Sequence, residues 1–260
     1  MRELFDLPDG LSHPDPTRRA QIQMQKPLPK RFYKEVSVSL DGEEFAVLLD
    51  GKAIKTPAKH PLKVPTEALA ALLQSEWDAQ SETIDPSTMP VTRLVNTAID
   101  GVSLEMQAVF DEIVRFSGGD LLCYRADGPV ELVARQTAEW DPVMDWLASE
   151  VGARFILIEG IMPQEQPDDA IAAFADALRP FSTPLDLAAL HTITSLTGSA
   201  MLALAFARGL IGMDEAWKLA HLDEDWTNEH WGVDAEAEVR RSKRYQELQA
   251  AVAVFRSLRS

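Results

Sequence analysis

Two periodicities divide the chain. Near its start, apolar and polar residues alternate with a period of two, the pattern of a half-buried strand. Val36, Val38 and Leu40 carry that alternation through residues 32–40. Asp41-Gly42 follows as a hairpin signal, and residues 45–49 read as the return strand. Asp50-Gly51 marks a second turn before a third short strand at 52–56, closed by Pro57. The expectation is an antiparallel meander, and a meander of this size needs a cover over one face.

A period near 3.6 then takes over. Pro65-Thr66 opens a helix with Glu67 in its first turn, where a carboxylate favours the helix dipole. Leu69, Leu73 and Trp77, with Leu72 beside them, form one apolar stripe that would cover the sheet. Trp77 reads as a core residue, with Glu76 and Asp78 pointing elsewhere. Beyond residue 90 the pattern is helical: 92–100, 104–116, 131–140, 142–151, 168–178, 184–196, 200–208, 214–231, and a last helix opened by Asp234. Asp141 and Pro142 read as cap and first residue of a separate helix. Residues 154–161 fit a short strand or a buried loop. Val239, Tyr245, Leu248, Val252 and Phe255 are the predicted inner face of the last helix. Residues 1–30 hold Pro8, Pro14, Pro16, Pro27 and Pro29 and show no period, so they read as an extended arm. The fold class is therefore α+β. A small N-terminal antiparallel meander with its helix (31–90) follows the arm (1–30) and precedes an all-helical bundle (91–260).

Charge narrows the function. The 260 residues carry 41 acids against 25 bases, a net of −16. Residues 61–240 alone hold 31 acids and 10 bases. A nucleic-acid backbone or an anionic membrane surface needs a cationic footprint, so both are excluded as partners. No apolar run approaches the ~20 residues of a membrane span, and no membrane insertion is expected. Cys123 is the only cysteine, which suits a reducing compartment, and it reads as a buried structural thiol. The first residues lack the apolar core of a signal peptide and the acid-poor character of a transit peptide. Cytoplasmic localisation is the expectation.

Catalytic signatures are absent: no glycine-rich phosphate loop, no His-Glu-x-x-His, no nucleophile elbow. Thr197-Gly198-Ser199 reads as a helix junction. The densest chemistry lies at residues 221–234. On a continuous helix His221, Asp225 and Glu229 would share one face with His230 adjoining, and a metal-dependent hydrolase could be built from them. Positions i and i+8 lie ~12 Å apart, too far to meet one ion. The same segment interleaves Trp217, Trp226 and Trp231 with Asp223, Glu224, Asp225, Glu229 and Asp234. Tryptophan supplies contact area at binding hot spots, and acids steer a basic partner.

Taken in order, several segments resemble one known family. They are Arg31-Phe-Tyr-Lys, residues 49–57 (LDGKAIKTP), Glu76-Trp-Asp-Ala-Gln and Met89-Pro-Val-Thr-Arg with Asn96-Thr-Ala-Ile-Asp. Later come Asp120-Leu-Leu-Cys-Tyr-Arg, Trp140-Asp-Pro with Trp146, Leu222-Asp-Glu-Asp-Trp and Glu229-His-Trp-Gly-Val-Asp. The family is the assembly factor 2 family of the F-type ATP synthase, whose eukaryotic members reside in the mitochondrial matrix. The resemblance implies a small α+β domain joined to a helical bundle. It implies a chaperone without catalytic residues; no cofactor and a single copy are the expectations alongside it. That chaperone holds the free alpha subunit of the catalytic head and prevents its aggregation until the beta subunit takes its place. Carried over by matching position, Glu224, Glu229, Trp231 and Asp234 would contact the client. Trp77 and Gly232 would serve the fold.

Overall fold

The computed structural model describes residues 28–160 and 164–259. Most of the arm, and Ile161 at the end of the ambiguous 154–161 segment, lie outside the described residues. Where the arm enters the fold, Ile84 N donates to the Pro29 carbonyl and Arg31 N to that of Glu82.

The meander forms where the alternation predicts it, but of the three apolar positions only Val36 is buried, and Leu40, beside the hairpin loop, is exposed. Strands β1 (Val36–Asp41) and β2 (Glu44–Leu49) pair antiparallel from Val36 opposite Leu49 to Asp41 opposite Glu44. The two-residue loop is thus Gly42-Glu43, one position later than the Asp-Gly pair suggested. In the next turn Asp50 and Gly51 both take positive φ (48° and 77°), as a two-residue loop of the I′ type requires. Strand β3 (Lys52–Ala53) ends after two residues instead of running to Thr56. The remaining edge of β2 is taken by β4 (Lys63–Val64).

Helix α1 (Glu67–Asp78) covers this sheet with buried Leu69, Ala70 and Leu73. Thr66 caps it by accepting from Leu69 N at 3.2 Å, and its hydroxyl donates to the Ser257 carbonyl near the chain's end. Glu76 does not point away. Its carboxylate accepts from Val91 N, Thr92 N and Thr92 Oγ1, each at 2.7 Å. It caps α2 (Pro90–Asp100) from another helix, because Met89 offers no side-chain cap and the first helical N–H groups need an acceptor. Burial pushes the Glu76 carboxyl up, against those same hydrogen bonds.

Helix α3 (Met106–Ser117) leads to a short turn at Leu121–Cys123 and strand β5 (Tyr124–Arg125). β5 pairs in parallel with β6 (Ile158–Glu159), so the ambiguous segment is mostly loop with one short strand. Between them α4 (Val130–Trp146) runs straight through Pro142 and closes in a π-helical turn at Leu147–Val151. The two helices expected at 131–140 and 142–151 are therefore one. Pro142 deletes a single N–H donor. Packing of Trp140, Val143 and Leu147, all buried, holds the helix together across it.

Helices α5 (Asp168–Leu178) and α6 (Pro184–Thr197) follow, then α7 (Ala200–Ala207). α6 packs on α2, α3, α7 and the last helix, α10 (Ala235–Ser257). α7 is buried from Ala200 through Phe206, as a helix apolar on all sides should be. Its N-terminus is capped twice. Ser199 Oγ accepts from Leu202 N, and the fully buried Asp120 accepts from Met201 N and Ser199 Oγ. Desolvation pushes the Asp120 carboxyl up to about 6 despite these bonds. Cys123 beside it is buried, and its thiol is pushed up to about 12, chiefly by desolvation. One apolar cluster runs from Val36 in the sheet to Phe255 in α10. On α10, Tyr245, Leu248, Val252 and Phe255 face inward as expected. Val239 does not: it is 57% exposed, because the first turns of α10 project beyond the bundle.

Candidate client-binding face

The acidic segment is not one helix. Helix α8 (Met213–Ala220) ends at His221, and α9 (Leu222–Trp231) starts directly after it. His221 is buried, its ring lies 3.8 Å from the Trp217 ring, and its Nδ1 is 2.9 Å from the Trp217 carbonyl. Burial pushes its imidazole below the usual histidine range. His221 thus fills the joint between two helices.

Three of the four carboxylates of α9 are tied to neighbouring helices. Asp223 accepts from Gln136 at 2.8 Å, and Glu229 meets Arg135 at 2.8 Å, both on α4. Asp225 pairs with Arg241 on α10. Trp140 Nε1 donates to the Leu219 carbonyl, and Lys218 reaches Glu139 at 2.7 Å. His230 turns its Nδ1 to the Trp226 carbonyl and stacks on that ring at 4.2 Å. The four residues of the hydrolase reading therefore face four different partners, and no metal-ligating cluster occurs among the described residues.

The aromatic residues divide. Trp217 and Trp226 are half-buried, Trp217 lying 5.2 Å from Tyr245. Trp231 is 85% exposed. It ends α9, and Gly232 follows with φ 89° and ψ 164°, a region that only glycine enters at low cost. Val233 is exposed, and Asp234 caps α10 by accepting from Glu236 N at 2.8 Å. Glu224 sits exposed in the first turn of α9. Trp231, Val233 and Val239 are thus three exposed apolar side chains at the end of α9, in the link and on the first turns of α10, with the exposed Glu224 and Glu229 on α9 and Asp234 at the cap of α10. Trp77 lies elsewhere, half-buried against Tyr33 at 5.8 Å, with Tyr33 Oη donating to its carbonyl.

Sequence reasoning missed Arg135, Gln136 and Arg241. Each lies far from its acidic partner in the chain, and nothing in local periodicity pairs them.

Comparison with known proteins settles the family. Residues 30–148 match the model described as ATP12 chaperone protein. The crystal structure of Atp12 from Paracoccus denitrificans is 37% identical, covers 88% of this chain and 98% of its own, and superposes with a TM-score of 0.82. The chain belongs to the ATP12 chaperone family. This is the ATP synthase assembly factor 2 family that its motifs resemble. A candidate chaperone from Agrobacterium tumefaciens has a solved structure with 62% identity. It covers 96% of this chain and 93% of its own, at a TM-score of 0.87. The mitochondrial protein atp12 of Schizosaccharomyces pombe is 25% identical over 226 residues, 82% of this chain and 77% of that one. The small sheet followed by helices is thus the ATP12 architecture. No helix among the described residues is long and apolar enough to cross a membrane.

Proposed function

We propose that this ATP12-family chaperone binds the unassembled alpha subunit of the F-type ATP synthase catalytic head through the corner where α9 meets α10. Binding shields the subunit's assembly interface until the beta subunit replaces the chaperone. The observation that carries this reading is Trp231. A tryptophan 85% exposed keeps a large aromatic surface in water, and tryptophan is among the residue types most enriched at binding hot spots. Val233, two residues on, is exposed as well, and the acids of α9 and Asp234 favour a client with a basic rim. Glu224, Glu229 and Asp234 are the polar contacts in this reading, and they set orientation and encounter rate more than affinity. Such a contact also releases readily, as hand-over to another subunit requires. The protein acts as a single copy in the cytoplasm, without cofactor and without catalysis. Support for the last point is that His221, Asp225, Glu229 and His230 each face a different partner and do not converge on one site.

The test is aggregation of isolated alpha subunit followed by light scattering. Stoichiometric chaperone should suppress it, and beta subunit added later should recover assembled heads. Scattering unchanged by the chaperone contradicts the proposal.

A further inference from the structure

A second surface, on the sheet side, differs in chemistry from the acidic corner. A cavity of about 430 Å³ opens between β3 and α1. Its floor is Tyr33, Leu49 and Ile54, all buried, with the half-buried Trp77. Phe32 stands at its edge, 73% exposed and in edge-to-face contact with Tyr33 at 5.4 Å. Lys52 and Lys55 complete the rim, exposed and without a carboxylate partner among the described residues. The one acid lining it, Asp50, is already engaged, accepting from Lys34 N and Glu35 N.

We infer that this groove is a docking site for an acidic peptide segment of a protein partner, one that carries an aromatic or aliphatic anchor between carboxylates. The anchor fills the space above Tyr33, Ile54 and Trp77, beside the exposed ring of Phe32. The carboxylates meet Lys52 and Lys55. Two unpaired cations are retained here on a protein of net charge −16. That local reversal makes the groove complementary to acidic segments and repels basic ones. An apolar floor with a few charged groups at the rim is the usual build of a peptide pocket. With the acidic corner on the helices, the chaperone would hold a partner by two contacts of opposite charge. The groove stands independently of which client the corner binds.

The test uses full-length protein labelled with ¹⁵N at its indole nitrogens. It is titrated with acetyl-Glu-Asp-Leu-Phe-Glu-Asp-amide and with acetyl-Lys-Lys-Leu-Phe-Lys-Lys-amide. The Trp77 indole N–H, buried without an acceptor, is assigned by its absence from the Trp77→Phe spectrum. The acidic peptide should shift that signal saturably, and the basic peptide should bind at least about tenfold more weakly. The double variant Lys52→Glu/Lys55→Glu should weaken the acidic peptide by roughly tenfold or more while its other indole signals stay in place. Equal response to both peptides, no movement of Trp77, or unchanged affinity in the double variant overturns the proposal. Affinity that falls as protein concentration rises also overturns it, because a second copy would then be the occupant.

Discussion

Glu229 and Arg135 form a 2.8 Å ion pair across 94 positions of sequence, joining α9 to α4. The pair lies at the surface, with the carboxylate 53% exposed. Exposed pairs contribute ~0–1 kcal/mol. Glu229→Lys should therefore lower stability by about 1 kcal/mol, a fall of roughly 2–4 °C in melting temperature for a chain of this size. Calorimetry checks this. A fall of ten degrees or more would mean that the pair holds the fold, and Glu229 could not then be judged as a client contact.

The tryptophans should rank by burial. Trp140 is fully buried with its Nε1 bonded to the Leu219 carbonyl, so Trp140→Ala should cost ~3–5 kcal/mol. Trp77 is half-buried against Tyr33, and its truncation should cost about 2–3 kcal/mol, below the full burial range. Trp231→Ala should stay within ~0.5 kcal/mol of wild type. Urea midpoints of the three variants give the order directly. A large loss in Trp231→Ala would refute its placement in solvent.

Asp120 should make stability depend on pH. Its folded carboxyl is raised from 3.8 to about 6, so the native state holds this proton more tightly than the unfolded chain. Its contribution is fully present below pH 3.8 and is lost as pH rises through about 6. The shift corresponds to roughly 2–3 kcal/mol. Urea unfolding at pH 5 and pH 7.5 should therefore show a rise toward acid from this group. Asp120→Asn should remove that rise. If the pH dependence persists in the variant, another group carries it. Asp100, Asp85 and Asp50 act in the opposite sense, because hydrogen bonds hold their carboxyls below the usual range. Their contribution is lost only as the solution falls below their ordinary titration range.

Glu76→Ala should loosen the joint between α1 and α2. The substitution leaves Val91 N and Thr92 N without acceptors at a helix start, at a cost of ~1–3 kcal/mol. Amide hydrogen exchange would report it as faster exchange at residues 91 and 92, while the far end of α2 keeps its protection.

Local pattern explains why much of this architecture was legible. Alternation beginning at Val36 placed the first hairpin, and the structure keeps the helix expected at 184–196 and the junction at Thr197-Gly198-Ser199. The failures share one cause, since they depend on contacts distant in sequence. Pro142 signals a break, yet Trp140 and Leu147 are buried on either side and the helix continues. Val239 fits an inner stripe, but the part of α10 that bears it has no neighbour to cover it. Composition and spacing mark the 221–234 segment as dense in chemistry but do not give its fold. That His221 would stop one helix and fill a joint could not be read from spacing, nor could the arginines that occupy Asp225 and Glu229. The Phe32 groove is not legible in Arg31-Phe-Tyr-Lys alone, because its other walls come from β3 and α1.

The α9–α10 corner is the contact proposed for the alpha subunit. Titration calorimetry of isolated alpha subunit against wild type and Trp231→Ala, both at unchanged melting temperature, tests it most directly. Wild type should bind one-to-one, and the variant should bind roughly 30-fold or more weakly, a loss of about 2 kcal/mol. Equal affinity in the two proteins, or no binding by wild type, would contradict it.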